Sequence, residues 1–241
     1  MHALQRLTLK FALSLIIATS CLAASAGVFS VTPVRLYLAP RDRAIAVTLT
    51  NEGDTPIVLQ ADINTWSQKP DGTDELILTE DLILAPPIIK LAPKARQVVR
   101  LALLKPADAS RQLTYRMIIR EVPEALPSAS IEVPIALALS MPVFITPPAA
   151  KRLVACSAKR GEARVVTLIC SNTGTAYAQI REATAARGGQ VFARFEGGSY
   201  ILPGASKTVS LKAEKDLAPG DAQLVVTFDD GQTLTNSVAL P

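Results

Sequence analysis

From residue 131 to residue 141 the chain alternates without a break. Ile131, Val133, Ile135, Leu137, Leu139 and Met141 are bulky and apolar, while Glu132, Pro134, Ala136, Ala138 and Ser140 between them are polar, small or proline. Alternate residues of an extended chain face opposite sides, so this spacing predicts one long strand with an aliphatic row on one face. Pro134 and Pro142 share a parity, which places their missing N–H groups along one edge when no bulge intervenes. Strands tolerate proline mainly where no ladder partner is needed, so an edge strand is predicted. Long apolar edges invite pairing with another chain, and proteins normally blunt them. An edge left intact predicts that pairing with another chain is its role.

Shorter alternating runs fill the rest of the chain. Strands are predicted over 28–38, over 44–51 with Ile45, Val47 and Leu49 inward, and over 57–66, whose Trp66 is expected to plug a core. Lys69-Pro70-Asp71-Gly72 reads as a turn, and 82–91, with Pro86-Pro87, as extended but irregular. Two more strands are predicted over 97–104 and 113–122, and a Pro/Ser-rich loop over 124–130 precedes the long strand. Seven or so strands suit one immunoglobulin-like sandwich of about 100 residues. Pro147-Pro148 is the expected boundary. Beyond it, strands over 153–156, 164–171, 178–183, 206–213 and 224–228 alternate with turns at Asn172-Thr173-Gly174, Arg187-Gly188-Gly189, Leu202-Pro203-Gly204 and Asp229-Asp230-Gly231. The expectation is all-β: a domain over 27–147 and a second β-sandwich over 148–241.

Residues 1–26 stand apart. Arg6 and Lys10 make a basic start, 11–24 is mostly apolar, and Ala24-Ser25-Ala26 is a small-residue cleavage site, the pattern of a secretory signal peptide. Cys21 would suit a lipoprotein, but Ala18-Thr19-Ser20 lacks the bulky aliphatic residue such sites carry. No later segment approaches a membrane span, so export without membrane insertion is expected. Losing Arg6 and Lys10 takes the 25 basic residues to 23 against 21 acidic. That balance gives no basis for nucleic-acid binding. Cys156 and Cys170 then remain, flanking a turn over 158–162; a disulfide in an oxidising compartment and two buried thiols are both open. His2, the only histidine, lies in the leader, which excludes a Ser-His-Asp triad, a Cys-His pair or a histidine metal site from the mature chain. No glycine-rich phosphate loop is present. No enzyme, metal or cofactor is therefore expected, although a hydrolase built only on carboxylates stays open as a rival.

LTYRMIIREVP over 113–123 and PPIIKLAPKARQVVRL over 86–101 resemble segments of the PapD-like periplasmic chaperones of usher-dependent pilus assembly. The first is similar to the family's strand ending in Arg-Glu-Val-Pro, and the second is similar to the segment before it. The resemblance spans the first domain and is weak in the second. It implies two immunoglobulin-like domains in an L or boomerang arrangement. It also implies that an edge strand is lent to an incomplete pilus (fimbrial) subunit, donor-strand complementation, before an outer-membrane usher takes the subunit.

The lending residues would be Ile131, Val133, Ile135 and Leu137, with Leu139 as an extension. The family also holds the subunit's C-terminal carboxylate with two cations. One matches Arg35; the other, a lysine, falls on Pro142, a departure that resembles the archaic branch and leaves Arg116 or Arg120 as substitutes. Arg100, Glu121 and Asp229 match an ion-pair set that orients the domains. The free chain either stays single or forms a homodimer that caps its own edge. The rival from another class is an exported structural or adhesive sandwich protein.

Overall fold

The structure, a computed structural model, describes residues 29–123, 136–162 and 164–240. The predicted signal peptide and the candidate donor positions Ile131, Val133 and Ile135 lie outside the described residues. The architecture is all-β in sandwich-like layers, with no helix among the described residues.

The predicted first strand is two strands, β1 (Phe29–Thr32) and β2 (Leu36–Leu38), and they belong to different sheets. Pro33 lies between them, and its missing N–H ends the ladder there. The same device recurs downstream. After β3 (Ala44–Asn51), β4 (Ile57–Gln68) and β5 (Asp74–Leu78), the stretch expected to be irregular forms β6 (Leu82–Ala85) and β7 (Ile88–Leu91), split between sheets at Pro86-Pro87. β8 (Arg96–Leu103), β9 (Leu113–Glu121) and β10 (Ala138–Ile145) complete this half. One sheet runs β1-β3-β8-β6; the other runs β2-β10-β9-β4-β5, with β7 also on β4. Their inner faces close on a core that includes Leu36, Leu49, Leu59, Ile89, Leu101 and Met117, all at 1 % exposure or less. The alternation legible in each strand supplies that face.

The second half is one seven-stranded sheet: β11 (Val154–Arg160), β12 (Val165–Asn172), β13 (Ala178–Arg187), β14 (Gln190–Ile201), β15 (Ser206–Ala213), β16 (Gly220–Phe228) and β17 (Thr233–Leu240). Its order is β11-β12-β15-β14-β13-β16-β17. The sheet rolls until its ends meet, and Asn236 Nδ2 donates to the Cys156 carbonyl at 3.0 Å. β14 and β17 have no counterpart in the sequence reading. β14 carries Gly197 and Gly198 in its interior, and in β17 Asn236 interrupts the inward row of Leu234, Val238 and Leu240, so neither announces itself by hydrophobic period. The turn at Arg187-Gly188-Gly189 was legible: both glycines have positive φ, 56° and 82°, which a tight hairpin requires.

Cys156 and Cys170 are bonded. They stand directly opposite in the β11–β12 ladder, with Cα atoms 4.1 Å apart.

A candidate donor edge and the cleft between the halves

β10 is held on one flank by β9 throughout, from Ala138 opposite Arg120 to Ile145 opposite Leu113. On the other flank β2 pairs in parallel with Val143–Ile145 only. Ala138–Pro142 has no backbone partner on that flank among the described residues. Within the described residues the predicted edge is thus an edge over Ala138–Pro142 and an interior strand over Val143–Ile145, because β2 begins only after Pro33 has turned the chain.

The aliphatic row divides in the same way. Met141, Val143 and Ile145 are buried in the chain's own core, and Leu139 packs partly buried against it. Leu139 therefore serves its own sandwich. Leu137 is 40 % exposed, its carbonyl accepting the Glu121 N–H at 2.9 Å.

The opposite face of the same sheet meets the second half. Phe144, fully buried, stacks on Tyr177 at 4.1 Å between ring centroids, with Trp66, Tyr200 and Leu202 packed around it. Trp66 does not plug the sandwich core. Its even position in β4 aims it away from Leu59 and Ile63 and into this aromatic cluster. Two glutamines fasten the cluster's rim to backbone. Gln68 donates to the Tyr200 carbonyl and accepts the Leu202 N–H, both at 3.0 Å. Gln112 accepts the Tyr177 N–H at 2.8 Å, and its own N–H donates to the Thr175 carbonyl at 2.9 Å. The turn at Gly72 docks against Lys207 of β15. A Cβ at Gly72 would approach the Ser206 carbonyl to 3.0 Å, so the contact requires glycine as well as its φ of 81°.

Two of the three candidate anchor cations converge here. Pro142 stands opposite Arg116 on β9, and Arg35 directly precedes Leu36, the partner of Val143. Arg35 and Arg116 thus flank Pro142 from either side. Both approach one ring, that of Tyr200, at 5.8 and 5.4 Å. Arg116 lies over the Trp66 ring at 3.7 Å, where burial lowers its pKa from the ordinary value while Asp74 and Tyr200 oppose that. Arg120 lies apart and pairs with Asp62.

The set Arg100, Glu121 and Asp229 is not assembled: no ion pair joins these three among the described residues. Arg100 points to solvent from β8, and one buried oxygen of Glu121 has no hydrogen-bond partner among the described residues. Asp229 pairs instead with Arg35 at 3.2 Å. Register explains the exchange. Arg100 occupies an outward position of the β1-β3-β8-β6 sheet, opposite Ala46 and Ala85, away from the second half. Arg35, Tyr37, Gln112, Lys151, Arg152, Tyr177 and Asp229 line a cleft of about 870 Å³ between the halves. Burial raises the Tyr177 pKa above its ordinary value, with Tyr37 and Asp229 adding to the effect, so its hydroxyl stays protonated.

The described residues thus form layered β-sheets with an edge strand open on one flank over Ala138–Pro142, and a cleft beside it lined by Arg35, Lys151 and Arg152 together with Asp229 and Asp230. The chain belongs to the pili and flagellar-assembly chaperone family through its PapD N-terminal domain, whose family model matches residues 28–151. Solved structures of the same fold cover nearly the whole chain. A chain of the chaperone–tip adhesion subunit pre-assembly complex from the archaic Csu pili of Acinetobacter baumannii is 17 % identical over 89 % of this chain and 99 % of that one, with a TM-score of 0.65. The CupB2 chaperone of Pseudomonas aeruginosa is 20 % identical over 88 % and 100 %, with a TM-score of 0.57. A chain from the Salmonella enterica SafA pilin–SafB chaperone complex is 16 % identical over 90 % and 99 %, also with a TM-score of 0.57. No curated protein sequence matches the chain.

Proposed function

We propose that this protein is an exported periplasmic chaperone that lends a strand to an incomplete pilus subunit and passes the subunit to an outer-membrane usher. Residues 1–26 are removed on export, 27–147 form the strand-lending domain, and 148–241 form the second. Ile131, Val133, Ile135 and Leu137 fill the subunit's groove, while Leu139 stays with its own core. Burial of each contributes about 1.5–3 kcal/mol gross, from which ordering and association costs subtract. No nucleotide, metal or cofactor is needed, because strand pairing and apolar burial supply the affinity. Arg35 and Arg116 receive the subunit's terminal carboxylate, a role their approach to a common ring supports. Arg120, engaged by Asp62, has no part in it.

The observation that carries this reading is the unpartnered flank of Ala138–Pro142 among the described residues, in a chain of the pili and flagellar-assembly chaperone family. Ile135→Asp with Leu137→Asp should leave the isolated protein folded and abolish recovery of a one-to-one complex with a small β-rich subunit from the periplasm. Undiminished recovery from the double variant would sink strand lending through this row.

A further inference from the structure

The arginine assigned above to a ligand carboxylate already holds one. Arg35 gives one N–H to Asp229 Oδ2 at 3.2 Å and another to Gln179 Oε1 at 2.7 Å, both acceptors lying in the second half. Asp229 is the less exposed partner, 12 % against 29 %. It also accepts the Tyr177 hydroxyl at 2.9 Å, and the Tyr37 and Tyr177 hydroxyls meet at 2.7 Å. Tyr177 has a single proton, which it gives to Asp229, so Tyr37 must donate to Tyr177. The result is a directed chain, Tyr37 to Tyr177 to Asp229, with Arg35 closing it from the other side.

Charge sets what the site accepts. Arg35 and Arg116 contribute two positive charges around the Tyr200 ring, and Asp229 cancels one. Arg116 has no ion-pair partner among the described residues. Asp74 also acts on Arg116 without pairing with it, so Arg116 remains a cation that an incoming carboxylate can pair. A carboxylate that reaches Arg35 competes for the same guanidinium N–H groups and is repelled by Asp229.

We propose that Asp229 is an internal carboxylate that occupies Arg35 in the unliganded chain and is displaced by a ligand carboxylate. This rests on the subunit-capture reading and adds two consequences to it. Asp229 lowers the site's affinity for any carboxylate, so weak adventitious anions are refused. Displacement also removes the one ion pair the described residues place between the two halves at this cleft, so capture loosens their connection there. Asp229 itself is not stranded, because the Tyr177 hydroxyl still satisfies it.

The test compares an alternating valine–threonine octapeptide with a free carboxylate and its C-terminal amide, titrated against the purified protein and against Asp229→Asn. Amide binding reads strand capture alone; the acid-to-amide ratio reads the carboxylate. Asp229→Asn should raise that ratio about tenfold, the order expected for one charge-assisted hydrogen bond. Asp229→Glu, which restores the charge, should return it to the wild-type value.

A ratio unchanged by Asp229→Asn overturns the proposal while leaving strand capture standing. Failure of both peptides to bind removes capture and the proposal together. An independent reading needs no variant. In the wild-type protein the acid, and not the amide, should speed hydrogen exchange at the Asp229 amide, which donates to the Gln179 carbonyl at 3.0 Å. Equal exchange with both peptides also overturns it.

Discussion

Replacing Phe144 by leucine should separate the two halves of the molecule energetically without emptying the space between them. Phe144 is fully buried on the even face of β10, while its neighbours Val143 and Ile145 fill the sandwich core. Its ring stacks on Tyr177 at 4.1 Å and 11°, and on Tyr37 at 5.6 Å and 30°. Leucine keeps most of the apolar area but forfeits the ring pairs, each contributing about 0.5–1.5 kcal/mol beyond burial. Of these only the Tyr177 pair joins the halves, Tyr37 lying with Phe144 in the first, so about 0.5–1.5 kcal/mol of the loss is expected to fall on the junction and not on either core. Alanine, which also opens a cavity, should cost about 3–5 kcal/mol.

Urea unfolding followed by two probes distinguishes junction from core. Emission of Trp66, the single tryptophan, reports the cluster, and far-ultraviolet circular dichroism reports both sets of sheets. In Phe144→Leu the tryptophan transition should move to lower urea ahead of the dichroism transition, whereas a core defect would shift both together. Coincident transitions displaced by less than 0.5 kcal/mol, a value about at the floor for a single ring pair, would refute the idea that this cluster holds the halves together.

Three further outcomes are expected. Reducing Cys156–Cys170, which closes a loop at a sequence separation of 14, should destabilise the second half by about 3 kcal/mol, read as an earlier urea transition in reductant. Arg116→Met should shift the emission of Trp66 and cost about 0.5–2 kcal/mol, since the guanidinium lies 3.7 Å over the ring in a partly buried setting; an unmoved spectrum would contradict that packing. Asp108 accepts N–H groups from Ser110 and Arg111, which hold its carboxyl below the usual carboxylate range. Its folded value is depressed, so its contribution is complete above the ordinary value of about 4 and fades as pH falls through the folded one. Asp108→Ala should flatten the decline of the urea midpoint below pH 4.

Hydrophobic period and turn chemistry, both local, were enough to read much of this protein from its chain alone. β3, β4, β8, β9 and the start of β10 carry a clean period-two pattern, and the Cys156–Cys170 bond joins neighbouring strands across a short turn. The family motifs lie in that same first half, where the family model matches. What the chain could not reveal depends on partners distant in sequence. Pro33 and Pro86 mark places where the strand changes sheet, and only the assembled layers show which sheet each piece joins. Trp66 and Phe144 look like core residues by composition, yet their parity faces them outward, and the second half makes that face an interior.

The cleft is the clearest case. Arg35 and Asp229 are 194 positions apart, and no spacing rule links them. Arg100 has the right charge in the right motif but the wrong side of its sheet. Side-chain direction along a strand is set by local backbone geometry and is legible in sequence. Which charges meet is set by how sheets stack and where a chain crosses between them, and that is decided only in three dimensions.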